Sequence, residues 1–311
     1  MSVQKKQPQN AGDAPLSLTV QAQTILLGCE QFRQGVTKIR SQLLSSSVRD
    51  YFANLLQSHG LQAYEAVHRA QLDKDFGRQL LIGERMGRRD YYIQLAIGMS
   101  LSLEEAQSML AYLEIGPLYA LRKRDAAVMY ALRESFSLID TQLLLDRYGL
   151  TPLGDAEDEF SDFAQSSGAH CVQTVDMEQR LKNTRSFEAL NEDMNDCYAR
   201  VSVNTYFSRL LSARGLTRKK TIELAGLCDK SNLVFQLLNG TRTARNRDLY
   251  IRIALALKLN LSETQSMLKF LKKGTLYPLK ERDAALVFCI SRGYDIGQTQ
   301  KLLEENGLPL I

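Results

Sequence analysis

Apolar residues recur at three- and four-residue steps through most of this chain, the period of a helix that buries one face. Between Gln21 and Leu44 the apolar set is Ile25, Leu26, Phe32, Val36, Ile39 and Leu43, which predicts one helix broken at Ser45–Ser47. Arg49–Ser58 carries Tyr51, Phe52, Leu55 and Leu56 and stops at Gly60, a residue suited to the left-handed turn that ends a helix. Two short helices are predicted next, about Ala63–Ala70 and Lys74–Ile82, the second capped by Asp73 and ended by Gly83. Another covers Asp90–Gly98. Ser102 caps Leu103–Leu113, where Glu104 and Glu105 sit in the first turn and suit the helix dipole. After the break at Gly116-Pro117, helices are predicted at Lys123–Ser135 and Ile139–Tyr148.

The pattern then begins again. Leu181, Phe187, Val203, Tyr206 and Phe207 repeat Leu26, Phe32, Val48, Tyr51 and Phe52 at a constant offset of 155 residues. The offset drifts to 158 and holds without a gap from Arg89/Arg247 to Leu150/Leu308, where about two positions in five are identical. The blocks Gln107–Leu110/Gln265–Leu268 and Arg124–Ala127/Arg282–Ala285 stand out. Two copies at this period are a duplicated domain, each copy large enough for its own core, and not a solenoid. Polar residues 1–20 are expected to be a disordered arm, and acidic Gly154–Val175 a linker. The helical copies then span 21–153 and 176–311, an all-α protein.

Charge changes the picture more than composition does. The chain is 44% hydrophobic and 24% charged, an ordinary globular balance, with net charge +4. That charge is unevenly spread: segment 154–200 carries −7 and segment 201–311 carries +9, the footprint of a polyanion binder. No stretch approaches the roughly 18 apolar residues of a membrane span, and the N-terminus lacks the apolar run of a signal peptide. Five scattered cysteines without a CxxC pair predict neither disulfide framework nor zinc site, so a cytoplasmic location is expected. His59, His68 and His170 fall in no HExxH pattern, and neither GxSxG nor a P-loop occurs; no catalysis, cofactor or metal is expected.

The basic charge concentrates on Leu216–Asp248, which reads as two short helices joined by a tight turn and followed by a basic loop; Leu61–Asp90 echoes it. In copy one the carrying residues are Tyr51-Phe52, Leu55-Leu56, Gly60-Leu61, Asp73, Gly83, Arg85 and Arg89-Asp90, then the tail Leu101–Leu110 and Arg124–Ala127. In copy two they are Tyr206-Phe207, Leu210-Leu211, Gly215–Thr217, Gly240, Arg242 and Arg247-Asp248. Each copy thereby resembles the Cro/phage-repressor (XRE-type) helix-turn-helix family, in a form with a helical leader before the motif and a two-helix extension after it. The resemblance implies two tandem lambda-repressor-like domains that regulate transcription by docking one helix in the DNA major groove.

On that reading, residues at the start of the second helix reach base edges. The candidates are Lys230, Ser231, Asn232 and Gln236 in copy two, and Lys74, Arg78 and Gln79 in copy one, with Asp75 beside them. Asn and Gln pair with adenine, Lys and Arg with guanine. Phosphate contacts fall to Arg218, Lys219, Lys220, Arg242, Arg245 and Arg247, with Arg85 and Arg88 in copy one. Copy two holds seven basic against three acidic residues over its motif and copy one six against five, so copy two is expected to be the main DNA reader. Copy one is then a weaker reader or a pseudo-dimer partner. Copy two also carries one extra residue between Asp229 and Gly240 relative to Asp73–Gly83. The alternative is a helical protein-interaction adaptor with degenerate motifs, the extensions contacting a second copy or another protein.

Overall fold

The structure, a computed structural model, describes residues 18–41, 43, 47–154, 179–181, 183–184, 186–194, 202–244 and 246–311. The expected acidic linker lies outside these residues apart from Gly154, as do Arg245, His170, Cys171 and Cys197. The described residues are all-helical, and their only pairing of extended backbone is one isolated bridge.

Copy one comprises α1 (Leu18–Gly28), α2 (Phe32–Ile39), α3 (Val48–Ser58), α4 (Ala63–Arg69), α5 (Lys74–Leu81), α6 (Arg89–Gly98), α7 (Leu103–Tyr112), α8 (Lys123–Arg133) and α9 (Leu138–Arg147). Copy two repeats the plan from the second helix on: α10 (Phe187–Met194), α11 (Val203–Ala213), α12 (Arg218–Leu224), α13 (Ser231–Asn239), α14 (Asp248–Ala256), α15 (Leu261–Phe270), α16 (Glu281–Ser291) and α17 (Ile296–Glu305). The leader expected as one helix is two, broken at Cys29–Gln31, and α1 begins at Leu18, inside the expected arm.

Local chemistry sets the ends. Ser47 and Ser102 accept from the amides of Asp50 and Glu105, whose carboxylates answer the cap amides. Asp73 caps α5 by accepting from the amides of Asp75 and Phe76. Gly83 and Gly240 close α5 and α13 at φ 74° and 72°. A β-carbon there would come within 2.9 Å of Val48 or 2.7 Å of Val203, so these turns need glycine both for conformation and for room.

The repeated Arg-Asp doublets are internal braces. Arg89 of α6 binds both carboxylate oxygens of Asp125 on α8, at 2.9 and 2.7 Å, while Arg124 binds Asp90 in return, at 3.2 and 2.6 Å. Copy two does the same, Arg247 to Asp283 at 2.6 Å and Arg282 to Asp248 at 2.8 Å. Burial would push the Asp125 carboxyl up, but the guanidinium of Arg89 beside it and the amide of Tyr119 hold it below the usual carboxylate range. Gln107 and Gln265 lock the next loop, each closing two hydrogen bonds on the backbone of Leu118 or Leu276.

The two copies are interlocked. Leader helices α1 and α2 make their main contacts beyond each other with α16 of copy two. Phe32 meets Phe288 with ring centroids 5.9 Å apart, Arg33 donates to Asn306 and to the carbonyl of Glu305, and Arg292 donates to the carbonyl of Cys29. The second leader crosses the other way: Phe187 packs on Tyr130 and Tyr148 at 5.8 and 4.9 Å, and Arg133 donates to the carbonyls of Leu181 and Thr184. Phe32/Phe288 and Phe187/Tyr130 are the same pair of positions taken twice, so the leaders are exchanged about a pseudo-two-fold axis.

Near that axis Ile115 and Lys273, also equivalent positions, form an antiparallel bridge. A β-carbon on Gly116 would lie 2.5 Å from the Lys272 carbonyl, and one on Gly274 2.4 Å from that of Glu114, so the backbones cross only because both are glycine. Glu114 reaches into copy two, 3.4 Å from Arg247 and 3.0 Å from Lys280. Its own equivalent is Lys272, so this charge contact breaks the symmetry. No helix among the described residues is long and apolar enough to cross a membrane.

Candidate nucleic-acid interface

In each copy a pair of short helices projects a polar surface, α4–α5 in one and α12–α13 in the other. Buried Val67, Leu80 and Leu81 anchor the first pair, and Ile222, Val234, Leu237 and Leu238 the second. The connections differ in length: four residues from Ala70 to Asp73, six from Ala225 to Lys230. Copy two coils its additional residues into a single 3-10 turn, Cys228–Lys230. Asp229 is therefore not the counterpart of Asp73. Counting back from Gly83/Gly240, Ser231 takes the place of Lys74, Asn232 of Asp75, Phe235 of Arg78 and Gln236 of Gln79.

The base-contact candidates of copy two come together on one surface. Lys230 is exposed at the foot of α13, Ser231 is half-buried in its first turn, and Asn232 and Gln236 are exposed along it. Phe235, 42% exposed, and Asn239 share that face; the sequence reading missed both because the longer turn shifted the register. In copy one Lys74 is exposed, Arg78 is exposed with Glu84 at 3.8 Å, and Gln79 is half-buried.

The phosphate candidates divide. Lys219, Lys220 and Arg242 are exposed, Lys220 with Glu223 at 3.2 Å, a surface pair of little energetic weight. Arg218 is half-buried, its guanidinium bound to Asn204 and Ser208 of α11 at 2.5 and 3.0 Å. Arg85 lies over the Phe76 ring, and Arg88 lies over Tyr91 while donating to its hydroxyl and to the Gly154 carbonyl. Arg247 is a correction. It is 6% exposed, paired with Asp283 and Glu114 and donating to the carbonyls of Gly274 and Thr275, so it braces the core instead of meeting a phosphate. The signal for this was in the sequence: the Arg-Asp doublets recur 35 residues apart in both copies, 89/124 and 247/282.

Other candidate chemistry is absorbed by structure. His59 meets Glu105 at 3.0 Å, tying α3 to α7, and Arg214–Glu263 repeats the tie at 2.7 Å in copy two. Tyr51 stacks on Tyr112 and Tyr206 on Phe270, and burial raises both phenol pKa values above the ordinary range. Among the described residues no three His, Cys, Asp or Glu side chains group as metal ligands, and Cys29, Cys228 and Cys289 are free thiols. No family model, curated protein or solved structure matches the chain.

Proposed function

We propose that this chain is a sequence-specific double-stranded DNA-binding transcriptional regulator, with α4–α5 and α12–α13 as lambda-repressor-like helix-turn-helix units. Copy two is the main DNA-binding half, and copy one is a weaker reader and pseudo-dimer partner. One observation carries the reading. Exposed Lys219 and Lys220 lie on α12, Lys230 at the start of α13 and Arg242 just past its end, while the exposed positions of α13 itself are uncharged and mostly amide-bearing: Asn232, Gln236 and Asn239, with Phe235. Cations at the margins suit phosphates, and amides between them suit base edges.

The test is fluorescence anisotropy on duplex DNA, titrated with salt. Four phosphate contacts give a slope of log affinity against log salt of about −3.6. Changing Lys219, Lys220 and Arg242 together to alanine should flatten it to about −1 without altering thermal stability. A chain that fails to bind duplex DNA at low salt sinks the reading.

A second reading, a helical adaptor with degenerate motifs, is favoured by apolar exposure on the same surfaces. Phe235 is 42% exposed on α13, and in copy one Tyr64 and Met86 are 67% and 60% exposed where copy two has Lys219 and Thr243. An adaptor predicts no salt-dependent DNA binding and a partner contact weakened by Tyr64→Ala or Met86→Ala.

A further inference from the structure

Of the large apolar side chains left exposed among the described residues, only Ile139 and Leu143 stand one helical turn apart on a single helix, at 59% and 62% exposure. Both lie on α9, the last helix of copy one. Its opposite face is already committed: Leu138, Thr141 and Leu145 are buried, and Gln142 closes two hydrogen bonds on the backbone of Leu153. Nothing in the fold requires the outward face to be apolar. The equivalent helix α17 is capped at the same position, Asp295 for Ser137, and buries the same three positions through Ile296, Thr299 and Leu303. Yet outward it carries Gly297 and Lys301, the lysine 3.9 Å from Glu305.

Charges frame the apolar pair of α9 in a self-complementary order. At about 3.6 residues per turn, Asp140 and Arg147 stand two turns apart on one edge of the face, with Leu143 between them. A second α9 laid antiparallel, about a two-fold axis beside Leu143 and Leu144, brings each Asp140 opposite Arg147 of the other chain. The four apolar side chains then meet in the middle, and both ion pairs fall along the same edge. A parallel pairing would set Asp140 against Asp140 and Arg147 against Arg147. Both charged side chains are exposed, and among the described residues no ion pair occupies either; Asp140 Oδ2 accepts from the Ser137 hydroxyl at 2.6 Å. On α17 the equivalents of Asp140 and Arg147 are Gln298 and Glu305, so that helix offers no such order.

We propose that two chains of this protein pair through α9, antiparallel and symmetric, with Ile139 and Leu143 at the centre and two Asp140–Arg147 ion pairs along one edge. A two-fold interface needs a surface complementary to itself, and this order supplies one. One helix per chain is small for a specific interface, so the dimer is weak, with a Kd on the order of 100 µM. The pairing stands whether or not the chain binds DNA.

Sedimentation equilibrium of the full chain from about 10 µM to about 1 mM tests it. Leu143→Lys, the residue copy two carries there, should weaken the dimer at least about tenfold without moving the melting temperature. Arg147→Glu alone and Asp140→Lys alone each set like charges across the axis, and each should weaken it roughly fivefold. An equimolar mixture of those two variants should regain the parent affinity, because the mixed dimer restores opposite charges at both ends. The mixture is the deciding arm should Leu143→Lys melt early. The proposal is overturned by a chain that stays monomeric at about 1 mM, which leaves the face to another partner. It is equally overturned by a Leu143→Lys chain that dimerises as tightly as the parent, or by a mixture no tighter than its components.

Discussion

Replacing Arg247 with alanine separates the two roles that a basic residue beside α13 could have. Its partner Asp283 is 1% exposed, and beyond Arg247 it keeps the Tyr277 amide at 2.8 Å. Glu114 keeps Lys280 at 3.0 Å, so the orphaned charge is that of Asp283. Breaking a buried pair from one side costs about 3–5 kcal/mol, because the remaining charge stays desolvated. At roughly 2–4 °C per kcal/mol for a large domain, the melting temperature should fall by about 6–20 °C. Burial already raises the Asp283 pKa against the opposing pull of Arg247, so the variant raises it further. A carboxyl whose folded pKa lies above its unfolded value loses stability as pH rises through the folded value, so the defect should narrow as pH falls. Urea unfolding followed by tyrosine fluorescence at neutral and mildly acid pH reads both effects, with Arg242→Ala, on the open surface, as the control within about 0.5 kcal/mol of the parent. Replacing the pair together, Arg247→Met with Asp283→Leu, should recover most of the loss. A single variant as stable as the control would refute the structural role of Arg247.

Three further outcomes follow from the interlock. A protease site inserted in segment 155–178 should, after cleavage, leave two halves that co-elute from a size-exclusion column, since each leader is packed on the other body; separation without denaturant would contradict the exchange. Phe32→Ala removes a ring that is 4% exposed and should cost about 3–4 kcal/mol by urea unfolding, with protease accessibility rising around α16 although the substitution lies in α2. The charges of Arg247 and Lys280 hold the Glu114 carboxyl below its ordinary 4.5 despite partial burial, so its contribution is present above that pH and is lost as pH falls through the folded value. Glu114→Gln should therefore flatten stability against pH in that acid range, and an unchanged acid slope would count against the contact.

Much of the fold was legible because it rests on local rules. Caps such as Ser47, Asp73 and Ser102, terminating glycines such as Gly83, and three- and four-residue apolar steps fix helix positions without reference to distant chain. The exchange of leaders was not legible for a physical reason. Phe32 can pack on Tyr130 of its own copy or on Phe288 of the other, and the two positions offer nearly the same surface; periodicity reveals the duplication but not which copy covers which. Along the candidate interface, amino-acid type identified exposed Lys219, Lys220 and Arg242, but charge alone could not tell them from Arg247, whose role depends on Asp283 36 residues onward. Helix register failed at Phe235 because the six-residue connection absorbs its additional residues in a 3-10 turn, which no apolar spacing marks.

The exchanged leaders also set a timetable for synthesis. Leu26, Phe32 and Ile39 leave the ribosome before α16, against which their helices pack and which is made about 250 residues later. At roughly 5–20 residues per second that interval is about 12–50 s, during which the surface that finally covers the leader does not yet exist. The leader is thus seated only after the helix that covers it has been made, and closure spans about 250 residues, a topology that slows folding. Nascent chains stalled before residue 281 should accordingly recruit holdase chaperones through residues 18–39, and that recruitment should end when α16 emerges.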